Sequence, residues 1–96
     1  MNYIGQNLQG RDFSGQDLRG TDFSDSDLSG ANLSGANLEN ANFLRAKLTN
    51  TNFSNANLSD SNLDYNVALA LLTNANLQGA NFHATLVNEQ VQRQML

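Results

Sequence analysis

Leucine or phenylalanine returns at every fifth residue of this chain without a miss from Leu8 to Leu63. The series runs Leu8, Phe13, Leu18, Phe23, Leu28, Leu33, Leu38, Phe43, Leu48, Phe53, Leu58, Leu63, and it resumes out of phase at Leu72, Leu77 and Phe82. A period of five suits neither an α-helix nor a flat strand, whose faces repeat at about 3.6 and 2 residues. Fixed-period self-similarity marks a stack of short units, each of which buries its apolar face only against a neighbour. The period therefore predicts a solenoid rather than a globular core.

The slots around each Leu or Phe, here called the centre, are equally regular. Two residues earlier the side chain is small, as at Thr21, Ser26, Ala31, Ala36, Ala41, Ala46, Thr51, Ala56 and Ser61. The residue just before the centre is Asn or Asp at almost every unit, from Asp12 and Asp17 to Asn57 and Asn62. All seven glycines stand two residues after a centre, and Asn40, Asn50, Asn55 and Asn74 take the same slot elsewhere. A type II turn needs positive φ at its third residue, which Gly adopts freely and Asn tolerates, so this slot reads as a corner. Centre and small residue then point inward and fill a narrow, dry interior.

The pattern A-(D/N)-(L/F)-x-x, seen in ANLSG, ANFLR, ANLSD and ANLQG, resembles the pentapeptide repeat family. The resemblance implies an all-β solenoid, a right-handed quadrilateral β-helix of about four coils, with four units to each square coil. It covers residues 1–84. Residues twenty apart then lie one floor apart, about 4.8 Å in the strand-pairing direction. Three pairs of opposite charges fall at that spacing: Arg19 with Glu39, Asp25 with Arg45, and Asp27 with Lys47. Tyr3, Phe23 and Phe43 share one wall, and Phe13 and Phe53 the opposite one.

Three departures interrupt the pattern. In the opening units the small slot holds Met1, Gln6, Arg11 and Gln16, as expected of a unit that seals a core and blocks edge pairing. Between Leu63 and Leu72 the spacing is nine residues, which fits a four-residue insertion or a one-residue deletion. A deletion is expected to twist a corner and turn later centres outward, so an insertion bulging near 66–69 is the expectation. That segment is apolar and would lie by the wall where Ile4, Leu44 and Tyr65 face outward, making Leu44, Tyr65, Val67, Leu69 and Leu71 a candidate protein contact. Finally, Val87, Val91 and Met95 recur at helical spacing, so 85–96 is expected to form a short helical cap at the C-terminal end.

Composition narrows the function. The absence of cysteine excludes disulfides and thiolate metal sites. A net charge of −4 lacks the basic footprint of nucleic-acid binding. No apolar run reaches the ~18–20 residues of a membrane span and no signal peptide is visible, so a cytoplasmic protein is expected. His83 is the single histidine, and seven of the nine acids (Asp12, Asp17, Asp22, Asp25, Asp27, Glu39 and Asp60) fall in outward slots on successive walls. They do not converge as a metal site or a catalytic pair requires. The reading is a non-enzymatic scaffold that binds another protein, with no cofactor or metal, as a monomer. The family resemblance implies an alternative, because some members confer quinolone resistance and look like acidic rods occupying the DNA site of gyrase. It also implies a likeness to the short stand-alone members numerous in cyanobacteria.

Overall fold

The structure is a computed structural model and describes residues 1–63, 70, 71, 75, 76 and 78. His83 and the expected cap at 85–96 lie outside the described residues.

Parallel pairing is the organising fact. Asn2 pairs with Asp22, Asn7 with Asp27, Asp12 with Asn32 and Asp17 with Asn37, and the same offset of twenty continues to Asn42 with Asn62. One turn of the chain is therefore four five-residue units, and each floor hydrogen-bonds to the floor above. The bonds repeat identically: Phe23 N donates to Asn42 O at 2.7 Å, Asp25 N to Leu44 O at 2.9 Å, and Asn42 N returns to Thr21 O at 2.9 Å. Four walls result, with columns through Tyr3–Phe23–Phe43–Leu63, Leu8–Leu28–Leu48, Phe13–Leu33–Phe53 and Leu18–Leu38–Leu58, numbered first to fourth in that order.

Corners form as their chemistry demands. Each is a β-turn closed by a bond such as Gln6 N to Tyr3 O, 3.2 Å, or Ala31 N to Leu28 O, 2.8 Å. The third residue of every turn up to Asp60 has positive φ, from 56° at Asn50 to 70° at Gly30. Six of these twelve residues are not glycine, and among them Arg45 (φ 57°) is the one with a long side chain.

The Asn or Asp slot has a backbone role. Its Oδ1 accepts the N–H two residues on, from Asn2 (Ile4 N, 2.9 Å) through Asp22 (Ser24 N, 2.9 Å) to Asn57 (Ser59 N, 3.1 Å). The side chain thereby satisfies a donor that the ladder leaves unpaired at the corner. Up the fourth wall the asparagines also link to one another, Asn57 Nδ2 to Asn37 Oδ1 and Asn76 Nδ2 to Asn57 Oδ1, both at 3.4 Å.

Inside, every centre from Leu8 to Leu63 is buried. The rings of Tyr3, Phe23 and Phe43 stack at 5.4 and 5.1 Å, and Phe13 and Phe53 meet that column edge-on. Burying each Leu or Phe contributes roughly 1.5–3 kcal/mol, and ring pairs in these geometries add about 0.5–1.5 kcal/mol. Small-slot hydroxyls are tied back to carbonyls, Ser26 to Phe23 O and Thr51 to Leu28 O, while among the described residues Thr21 Oγ1 has no partner. On the first floor Arg11 lays its guanidinium 5.8 Å from the Phe13 ring, while Met1, Gln6, Arg11 and Gln16 are all exposed.

The register after Leu63 corrects the expected insertion. Asn52 pairs with Leu71 and Asn57 with Asn76, an offset of nineteen. A four-residue insertion would have made the Leu72 unit the next wall after Leu63, paired above Leu48, at an offset of twenty-four. The nine residues are instead two units with one residue missing. Later units keep their facing: Ala70 is buried, Ala75 packs against the core, and Phe53 N and Leu58 N donate to Leu71 O and Asn76 O at 2.8 and 2.7 Å. The pairing needs only that the units stack, and those of Leu71 and Asn76 do so one residue short of the regular offset.

Candidate interaction surface

Because the interior is filled, any recognition falls to the walls and corners. Of the five residues expected to form one apolar contact, the two described ones fall on different walls. Leu44 is half-buried on the first wall, beside the Asn42 column, whereas Leu71 is 48% exposed on the third wall above Asn52. In a four-sided coil these walls are opposite, so Leu44 and Leu71 cannot share a surface. Tyr65, Val67 and Leu69 lie outside the described residues.

Leu44 belongs instead to a stripe on its own wall. Ile4 stands two floors below it and is 47% exposed. Ser24, on the floor between them, is buried, unlike the equivalent serines Ser34, Ser54 and Ser59. The three are followed in sequence by Gly5, Asp25 and Arg45, which stack along the corner between the first and second walls. That corner carries a shallow groove of about 270 Å³, lined by Gly5, Gln6, Asn7, Asp25, Ser26, Asp27, Arg45 and Lys47.

The charges in the groove follow the floors. Arg45 forks onto Asp25 directly below it, Nε to Oδ1 at 2.7 Å and Nη2 to Oδ2 at 3.0 Å. That hydrogen-bonded guanidinium holds the Asp25 carboxyl below its ordinary value. Asp27 is also lowered, by the hydrogen bond from Ser29 and then by Gln9, whose Nε2 lies 2.5 Å from Oδ2, with the charge of Lys47 a smaller influence. Lys47 pairs with Asp27 through the backbone ladder, while its ammonium makes no hydrogen bond or ion pair among the described residues. The third expected pair does not form across floors: Arg19 binds Asp17 on its own floor at 2.8 Å. Its hydrogen bond to Asp17 raises Arg19 and lowers Asp17, and Glu39 acts on it only through its charge.

Two features of this corner were legible but unread. Every described residue before a centre is Asn or Asp except Lys47 and Leu71, and every described corner is Gly, Asn or Asp except Arg45. Both cationic exceptions line one groove. Among the described residues no group of His, Cys, Asp or Glu is placed to hold a metal, and no helix is long and apolar enough to cross a membrane.

The parallel twenty-residue coil, its corner turns and its filled core define a pentapeptide solenoid. The chain belongs to the pentapeptide repeat family, whose profile matches eight copies over residues 4–35 and 26–64. None of the curated proteins matches it. Among solved structures it is similar to trypsin-treated QnrB1, a plasmid-mediated fluoroquinolone resistance protein, at 20% identity and a TM-score of 0.76, covering 97% of this chain and 45% of that one. It is similar also to HetL, a pentapeptide repeat protein involved in heterocyst differentiation regulation in the cyanobacterium Nostoc sp. strain PCC 7120, at 31% identity and a TM-score of 0.51. That match covers 83% of this chain and 44% of HetL. The chain thus spans about half the length of the structures it matches. These neighbours are right-handed β-helices, the fold expected from the repeats.

Proposed function

We propose that the chain is a non-enzymatic scaffold that binds another protein, monomeric and cytoplasmic, built as about four quadrilateral coils with a short helical cap over 85–96. The observation that carries this reading is the chemistry of the walls. The outward Asp and Asn side chains are held against their own backbone, from Asp12 on Ser14 N at 2.9 Å to Asn52 on Ser54 N at 2.9 Å. They stiffen the wall and are not gathered into a reactive set. A rigid surface of this kind binds with little ordering cost. HetL, whose described role is regulatory, fits the same pattern.

Residues 65–72 are the contact we propose, with Leu71 exposed on the third wall and Tyr65, Val67 and Leu69 beside it in sequence. Affinity capture from the native organism tests this. Val67→Asp together with Leu69→Asp is expected to abolish recovery of the partner while leaving the circular dichroism spectrum unchanged. Undiminished recovery refutes the contact.

The likeness to QnrB1 supports a second reading, mimicry of DNA toward an enzyme such as gyrase. It ranks lower because the described body, 29 × 22 × 21 Å, is hardly a rod, and Asp12, Asp17, Asp22 and Asp27 sit on four successive walls instead of lining one face. Inhibition of gyrase supercoiling at stoichiometric protein would establish it in place of the scaffold reading; none is expected.

A further inference from the structure

The corner groove breaks the repeat twice in one place. At position 45 a long cationic side chain occupies a left-handed backbone conformation, φ 57°, that Gly, Asn or Asp supplies at every other described corner. At position 47 a lysine replaces the Asn or Asp whose Oδ1 would accept the N–H of Thr49. Each change gives up a local preference, and exposed ion pairs return little. Local rules broken without an evident structural gain concentrate at functional sites.

We infer that this groove is a second docking site, for an extended segment of a partner protein that carries a carboxylate next to an apolar side chain. The inference rests on the protein-binding reading above but uses a different wall. Lys47 supplies a cation unpaired among the described residues, in a chain of net charge −4. One floor below, Asp25 fixes the Arg45 guanidinium in place, while Asp27 is already held by Gln9 and Ser29. Gln6 and Asn7 contribute amides at the foot of the groove. Immediately beside it, Ile4 and the half-buried Leu44 offer an apolar strip. An acidic side chain seated against Lys47 places its apolar neighbour on that strip, and this pairing of charge and apolar surface selects an acidic–apolar peptide over a plain anion.

The test uses the whole chain, labelled with nitrogen-15, titrated with the peptide acetyl-Leu-Asp-Leu-Asp-amide and with its Asn-for-Asp counterpart. Saturable shifts are expected at the amides of Gly5, Ser26 and Lys47 with the acidic peptide alone. Lys47→Asn and Arg45→Asn should each weaken binding at least tenfold. Both variants restore the repeat's own residue, so their melting temperatures should stay level or rise, and loss of binding cannot be put down to unfolding. Equal binding by the variants, equal shifts with the Asn peptide, shifts centred elsewhere or no shifts at all would overturn the proposal. So would inorganic phosphate reproducing the same shifts, or a single-stranded oligonucleotide binding more tightly. If the groove variants keep full recovery of the captured partner while Val67→Asp with Leu69→Asp loses it, this site falls and the scaffold reading stands.

Discussion

One asparagine shows how the fold is encoded. Asn42 precedes Phe43, accepts the N–H of Leu44 at 3.0 Å through Oδ1, and receives Asn62 Nδ2 from the floor above. Asn42→Ala removes both roles and is expected to cost about 1 kcal/mol in urea unfolding. Asn42→Asp keeps the acceptor toward Leu44 and should cost less. Corners predict a similar ordering. Gly35 has φ +66° and open space where a Cβ would stand, so Gly35→Ala is penalised by the backbone alone, by about 1–2 kcal/mol. Gly35→Asn, the residue found at Asn40 and Asn50 with the same sign of φ, should cost measurably less. In the core, Leu33→Asp places an unpaired charge in a fully buried position and should leave the chain unfolded at room temperature. A native-like melt would mean that Leu33 does not face inward. Thr21→Val runs the other way. The Thr21 hydroxyl is buried without a partner, so its loss should be neutral or stabilising.

At the level of the coil, the acids make stability depend on pH. Asp12, Asp17, Asp25 and Asp27 are all held below their ordinary value of 3.8, by hydrogen bonds from Ser14, Arg19, Arg45 and Ser29 respectively. A carboxyl lowered in the folded state contributes stability that is fully present above its unfolded value and lost as pH falls through its folded value. The melting temperature should therefore be flat through neutral pH and begin to fall only below about 4. The triple change of Asp12, Asp17 and Asp27 to Asn keeps each turn acceptor and should flatten that acid limb. An unchanged limb would show that these carboxyls do not govern it. The coil itself was legible in the sequence, because a period of five with Gly or Asn at the corners admits few backbone solutions. The Asp25–Arg45 pair was equally plain from the spacing of twenty. Arg19 was not, since spacing fixes which backbones are neighbours but leaves a long side chain free to choose Asp17 on its own floor. The missing residue after Leu63 was misread for a related reason. Sequence shows that a unit is irregular, whereas only pairing shows which later unit stacks on which earlier one. The groove lay in plain view as two cationic exceptions two residues apart, yet nothing local says that they open onto a hollow reaching down to Gly5, Gln6 and Asn7 two floors below.

For the whole molecule, the currency of change is the five-residue unit. Deleting residues 26–30 removes one wall segment and lets every later centre keep facing inward, so a folded and somewhat less stable protein is expected. Deleting only 27–29 removes the Leu28 centre and breaks the phase of every later one. It should abolish the cooperative thermal transition, despite the smaller loss. If both deletions melt alike, stacking in units does not govern the fold.

The bonds between floors all run along the stacking direction, from Tyr3 N to Asp22 O at the base to Asp60 N to Gln78 O near the top. Under a pull on its two ends the molecule would be loaded like a coiled spring, one turn at a time, and should unwind stepwise at modest force. Pressed across its walls, it meets stacked rings and leucines with no slack between them, so it should be stiff sideways and extensible lengthwise.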